Sequence, residues 1–329
     1  MEARARRRRL AGVISIITAL CTLPACGSGT TDSAGAAGSG PEIRIGVGVD
    51  AAYAPLFLAD SRGLWKKHGL NVKLVQFGTG GQAIDALTAG TVNLAGNSDV
   101  TTIGKLPQDP GLRALLVYEE SGRYLKVVTR PAISDPSKIR KMAIVPGLSE
   151  LAATRFLESR HIDPKSVRFV TADPPEIPAL LQKGDVDAYV LWEPWPGKGV
   201  ALGGKVLEDT GSYGLVYQHW LISTQKWLDG DKDTAQKVAQ TLAEAARLTE
   251  SDPDGAAKAT EKAAKIPTSQ TLTAVKEIDY GVRGITAADV RSYAKTADWY
   301  LGTGKVKSKP DVTTGVLQNW YTGQPKGTG

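Results

Sequence analysis

Apolar positions switch repeatedly between a two-residue and a 3.6-residue period, and the switches mark the elements. Ile43 to Val49 is a β-branched run and predicts a strand. Ala54 to His68 has helical spacing, with Leu56, Phe57, Ala59, Leu64 and Trp65 on or near one face, and stops at Gly69. Val72 to Phe77 alternates as a strand, Gln82 to Ala89 is helical, and Val92 to Ala95 reads as a short buried strand. Asp99 to Leu106 predicts a short helix and Leu112 to Tyr118 another strand. This βαβα rhythm with short connections predicts a parallel sheet covered by helices.

The rhythm restarts after Arg130-Pro131. Met142 to Val145, Val167 to Val170, Ala188 to Trp192 and Lys205 to Leu207 read as strands. Ser149 to Arg160 and Pro178 to Lys183 read as helices between them. Tyr217 to Ser223 is a strand that carries the chain onward. From Gln225 the pattern is almost wholly helical, with Val238, Leu242, Ala245 and Leu248 on one stripe. Thr286 with Asp289 has the form of a capping box for a helix running to Leu301. Two α/β runs followed by helices predict two lobes. Residues 42–129 and 224–329 make the first lobe, 130–223 the second, with crossings near Arg130 and Ser223.

The first 41 residues lie outside this alternation. Arg4 and Arg6 to Arg9 form a basic head, and the apolar run Leu10 to Leu23 follows, short for a membrane span and suited to a signal-peptide core. Leu23-Pro24-Ala25-Cys26 looks like a bacterial lipobox, in which the thiol of Cys26 carries lipid after cleavage. Residues 1–25 are therefore expected to be a lipoprotein signal peptide. Residues 26–41, rich in Gly, Ser, Thr and Ala, are expected to form a lipidated flexible tether. The chain carries +6, but the leader holds five arginines and one glutamate, so the remainder carries only +2. That charge does not point to nucleic acid. The two cysteines are Cys21, in the leader, and Cys26, so the mature chain is expected to have neither a disulfide nor thiol chemistry.

Three Gly/Ser-rich corners separate a strand from a helix. They are Gly78-Thr79-Gly80-Gly81-Gln82, Gly96-Asn97-Ser98-Asp99 and Gly147-Leu148-Ser149-Glu150. Each either caps its helix or turns backbone N–H groups and a hydroxyl or amide toward a polar solute. Three such corners at the C-terminal ends of strands favour a ligand cleft. Leu191-Trp192-Glu193-Pro194-Trp195 ends a strand with an aromatic face and a carboxylate. It is either a ligand wall or lobe packing. Tyr53 and Tyr118, just beyond strands, carry the same two readings.

Gly46-Val47-Gly48-Val49-Asp50-Ala51 resembles a dinucleotide fingerprint, but Gln76 stands where the acidic partner belongs. Leu151 replaces the last glycine of a nucleophile elbow after Ser149. His68, His161 and His219 have no metal-ligand spacing, so neither cofactor nor metal is expected.

Taken in order, these segments resemble the solute-binding proteins of ABC importers for nitrate, sulfonates, taurine and pyrimidine precursors of thiamine. The segments that carry the likeness include Tyr53-Ala54-Pro55, Gly63-Leu64-Trp65-Lys66-Lys67-His68-Gly69-Leu70 and Ala86-Leu87-Thr88-Ala89-Gly90. Leu180 to Ala188, Trp192-Glu193-Pro194 and Ala297-Asp298-Trp299-Tyr300-Leu301 complete them. The resemblance implies a type II periplasmic-binding-protein fold: two α/β lobes, two crossovers, and a cleft that closes on one small molecule.

A monomeric, non-enzymatic receptor on the outer face of the cytoplasmic membrane is then expected, with an ABC permease and the lipid bilayer as partners. Its cleft is expected to use Tyr53, Gly80, Gly81, Gln82, Asn97, Ser98 and Tyr118 from the first lobe. Ser149, Trp192 and Glu193 are expected from the second. Asn93 stands where the family often has Asp, and Glu150 and Glu193 would repel a simple anion, which leaves room for an amine-bearing or aromatic solute. The rival reading is an enzyme of pyrimidine synthesis on the same scaffold. Such enzymes rely on histidine and cysteine chemistry, and here the only cysteine beyond the leader is the anchor.

Overall fold

The computed structural model describes residues 40–323. The leader, Cys26 and most of the tether lie outside the described residues. The chain runs β1 (Ile43–Val47), α1 (Ala54–Ser61), α2 (Leu64–Lys67), β2 (Val72–Gln76), α3 (Gly80–Thr88), β3 (Leu94–Ser98), α4 (Asp99–Lys105) and β4 (Leu112–Ser121). It continues with β5 (Leu125–Thr129), β6 (Lys141–Ile144), α5 (Leu148–Ser159), β7 (Arg168–Thr171), α6 (Ile177–Lys183), β8 (Ala188–Trp192), α7 (Trp195–Ala201) and β9 (Lys205–Asp209). The last stretch is β10 (Tyr217–Thr224), α8 (Gln225–Ser251), α9 (Pro253–Ala264), α10 (Thr268–Val275), β11 (Asp279–Arg283), α11 (Ala287–Gly302) and α12 (Val312–Gly315).

Two sheets result, ordered β11-β4-β10-β3-β1-β2 and β7-β6-β8-β5-β9. Neither is wholly parallel. The βαβ units give parallel pairing of β1 with β2 and β3, and of β6 with β7 and β8. The strands at the crossings run the other way: β10 is antiparallel to β3 and β4, and β5 is antiparallel to β8 and β9.

Strand membership corrects the expected lobe boundaries. β5 pairs in the second sheet and β10 in the first, so the crossings fall at residues 122–124 and 210–216 rather than near Arg130 and Ser223. Arg130-Pro131 ends a second-lobe strand instead of dividing the lobes. The two crossovers meet backbone to backbone, with the Gly211 N–H donating to the Gly122 carbonyl and the Thr210 hydroxyl donating to the same oxygen at 3.1 Å. A β-carbon on Gly122 would stand 3.0 Å from the Gly211 Cα, which only two glycines avoid.

The first lobe buries Trp220, Tyr118, Phe57, Ile45 and Leu56 completely. The apolar stripe Val238, Leu242, Ala245 and Ala246 of α8 closes that core, with α8 and α9 packed on α1. Each large side chain so buried contributes roughly 1.5–3 kcal/mol. Part of the second lobe has its own core around Val128, Ala143, Ile177, Leu181 and Tyr189. α11 starts at the expected capping box, with the Thr286 hydroxyl accepting from Asp289 N–H and the Asp289 carboxylate accepting from Thr286 N–H. The helical reading of 54–68 breaks in two because Gly63 sits at φ 66° between α1 and α2. Among the described residues no helix is long and apolar enough to cross a membrane.

Candidate functional site

A cavity of about 820 Å³ opens between the lobes. Its walls are the starts of α3, α4 and α5, and its floor is made by the turn after β1, the first crossover and β10.

The corners are built from internal hydrogen bonds. Thr79 caps α3, and Gln82 returns its side-chain oxygen to Gly78 N–H at 3.1 Å and Thr79 N–H at 3.3 Å. The Asn97 amide donates to the Gly80 carbonyl at 2.9 Å, while its oxygen accepts from Ser98 N–H at 2.7 Å. Ser98 caps α4 by accepting from Thr101 N–H at 3.2 Å. The Ser149 hydroxyl donates to the Val190 carbonyl at 2.7 Å and accepts from Val145 N–H at 3.1 Å, which ties α5 to β8 and to the end of β6. At the first turn of α3 the amides of Gly80 and Gly81 have no partner among the described residues. Thr101 also reaches across the cleft, accepting from Leu148 N–H at 3.4 Å. Gly147 permits this approach, since it takes φ 100° and a β-carbon there would overlap Thr101. Lys305 of the first lobe pairs with Glu150 of the second.

The floor differs. Asp50 lies in the turn after β1 and is 8% exposed. Its Oδ1 accepts from Ala52 N–H at 2.9 Å and from the Tyr124 hydroxyl at 3.2 Å. The same hydroxyl lies 3.0 Å from the Glu193 carbonyl, so Tyr124 in the crossover touches both lobes. Burial pushes the Asp50 carboxyl up to about 7, against the lowering by its two hydrogen bonds. His219 on β10 faces the cavity, and burial pulls its imidazole down to about 3, so the ring is neutral at pH 7. Its Nδ1 is 3.1 Å from the Tyr118 hydroxyl and 3.4 Å from Glu119 Oε1. Both Glu119 carboxyl oxygens are buried without a hydrogen-bond partner among the described residues, and burial holds that group well above its ordinary range.

Of the residues expected at the cleft, Tyr53, Gly80, Gly81, Gln82, Asn97, Ser98, Ser149 and Trp192 line the cavity. Tyr118 and Glu193 do not. Tyr118 lies within β4, between β10 and β11, and is fully buried, so its hydroxyl meets His219 rather than the cavity. The Glu193 carboxylate turns back to accept from Gly197 N–H at 3.2 Å and stands 3.6 Å from the Lys126 ammonium. Its main-chain carbonyl meets the Tyr124 hydroxyl instead.

Asp50, Tyr124, Trp195, Tyr217 and His219 line the cavity without having been singled out as cleft residues. The signal that could have found them is proximity to the crossovers, which the displaced boundaries hid. Tyr124 and Tyr217 sit where the chain changes lobe, and the β4–β10 register sets His219 opposite Glu119.

Two α/β lobes joined by two crossovers over a cleft define a periplasmic-binding-protein fold. The chain belongs to the NMT1/THI5-like family, whose model matches residues 50–256. It is 24% identical over 333 residues to a Bacillus subtilis (strain 168) protein provisionally named as aliphatic sulfonates-binding, covering 94% of this chain and 95% of that one. The fold matches the alkanesulfonate-binding protein SsuA from Xanthomonas axonopodis pv. citri, solved bound to MOPS. That match has a TM-score of 0.74 at 20% identity and covers 84% of this chain and 98% of that chain. A ligand-binding component of an ABC-type import system from Staphylococcus aureus matches with a TM-score of 0.73 at 18% identity, covering 85% and 97%. These similar proteins are binding proteins, not enzymes.

Proposed function

We propose that the protein is an extracytoplasmic receptor that captures one small aromatic or pyrimidine-type solute and delivers it to an ABC importer. The observation that carries this reading is the make-up of the cavity wall. Trp192, Trp195, Tyr53 and Tyr217 supply flat apolar faces, and no arginine among the described residues lines the cavity. Both lining lysines are matched, Lys105 with Asp85 at 2.6 Å and Lys305 with Glu150. Among the described residues a simple oxyanion would find no side-chain cation to itself, whereas an aromatic ring finds walls on both lobes. Solute bridging the lobes would favour the closed state through the same cleft edge that Lys305 and Glu150 already join.

A sulfonate- or nitrate-type anion is the second reading. The unpartnered Gly80 and Gly81 amides at the start of α3 favour it, as do the relatives named for sulfonates. Mass spectrometry of solute released from protein purified from its native membrane decides between them. A nitrogen heterocycle or other small aromatic is expected, and an aliphatic sulfonate in its place would contradict the reading.

Anchoring through lipid on Cys26 would keep the receptor at the outer membrane face, beside its permease. Changing Cys26 to Ala is expected to move the protein into the soluble fraction. Continued lipid labelling of that variant would refute the anchor.

A further inference from the structure

The carboxylates lining the cavity are not equivalent. Asp85 and Glu150 are paired with lysines, and Asp173 is exposed at the rim. Asp50 is buried on the floor and has no Lys, Arg or His within ion-pair distance among the described residues. Its Oδ1 is engaged twice, while Oδ2 makes no hydrogen bond among the described residues. A floor carboxyl held by one oxygen, with the other available to the cavity, is a preorganised acceptor.

We propose that Asp50 is the specificity-determining residue of the cleft and that it selects solutes carrying a cationic, N–H-bearing group such as an amidinium or protonated amine. This rests on the aromatic-solute reading and adds the charge of the solute to it.

The surroundings supply no competing cation. Tyr53 from the turn after β1, Tyr124 from the crossover, Tyr217 from β10 and Tyr280 from β11 stay neutral, since burial raises all four hydroxyls. Burial likewise raises the Tyr118 hydroxyl and holds the Glu119 carboxyl of β4 above its ordinary range, and it pulls the His219 imidazole of β10 down to about 3, so that ring carries no charge at pH 7. Lys126 is held 2.6 Å from Glu277. An incoming cation would therefore be the partner that ionised Asp50 lacks. With its proton lost near pH 7, Asp50 should bind a cation best above that pH, and affinity should fall as pH drops below about 7, by up to roughly tenfold per unit.

Benzamidine and benzamide form a matched pair of probes, planar and alike in size, one cationic and one neutral. Calorimetric or NMR titration at pH 8 is expected to show benzamidine bound roughly tenfold or more tightly than benzamide, the scale of one charge-assisted hydrogen-bonded pair. The preference should collapse in Asp50→Asn and shrink in the wild-type protein at pH 5.5. The wild-type pH series does not depend on the variant folding. Equal binding of the two probes overturns the selection by Asp50 and leaves the aromatic cleft standing. A preference that persists in folded Asp50→Asn, or that ignores pH, also overturns it. No binding of either probe, with methanesulfonate bound instead, overturns both this proposal and the aromatic reading. No binding of any of the three overturns the selection by Asp50.

Discussion

The helix starts that wall the cleft and the crossover floor beneath them use polar groups in opposite ways. Along the walls Asn97, Ser98 and Ser149 commit their side chains to neighbouring groups and Gln82 commits its side-chain oxygen to Gly78 and Thr79 N–H. On the floor Asp50 keeps one carboxyl oxygen without a partner among the described residues, while Tyr124 and His219 face the cavity from beside the crossings. The lesson concerns rigidity. A saturated side chain builds the shape of a site, whereas an unsaturated buried one is costly to the empty fold and available to a ligand.

The sharpest way to break this comparison is at Ser149. Its hydroxyl satisfies two buried backbone groups, Val145 N–H and the Val190 carbonyl, and Ser149→Ala orphans both. A loss of about 2–4 kcal/mol of stability is expected from two such groups. Urea melts would detect it, and a loss under about 0.5 kcal/mol would mean that the hydroxyl is not structural.

The next effect is at Trp192, which packs beside both cores and lines the cavity. Trp192→Ala should weaken solute binding by about 2 kcal/mol, roughly thirtyfold. Unchanged affinity together with a collapsed melting transition would make Trp192 a packing residue.

The smallest expected effect is on the empty protein. The folded Asp50 carboxyl titrates near 7, and the unfolded one near 3.8. Between those values the folded state holds the extra proton, so this group's contribution to stability falls as pH rises through the window. Asp50→Asn keeps an acceptor for Ala52 N–H and removes the buried charge. It should therefore stabilise the empty protein at pH 8, on the order of 1 kcal/mol, and by less near pH 4. Melting curves at the two pH values check the sign.

Most of the fold was legible because binary pattern and corner chemistry are local. The strands before Asp99, the helix starts at Thr79 and Ser98, and the α11 capping box all depend on residues within one turn of each other. Two strands were not legible. β5 follows β4 after only Gly122-Arg123-Tyr124, so the run to Thr129 reads as first-lobe chain although it pairs in the other sheet. β11 is a short edge strand in which only Tyr280 and Val282 are buried, too little alternation to stand out from the helices around it.

The walls of the site were legible for the same local reason, and the floor was not. Asp50, Tyr124 and His219 are distant in sequence, and only the β10 pairings and the two crossings collect them. The apolar pattern ends the strand at Tyr118 and so points it at the cleft, but β4 runs on to Ser121 and keeps it inside the sheet.

Calorimetric titration of the released solute into wild-type protein, Asp50→Asn and Ser149→Ala, with a melting curve for each, tests the division between floor and walls most directly. Asp50→Asn is expected to lose roughly tenfold or more in affinity while melting no lower than wild type at pH 8. Ser149→Ala is expected to melt lower and, at a temperature where it is folded, to bind with affinity close to wild type. The reverse pattern, with binding lost at Ser149 and kept at Asp50, would contradict the account.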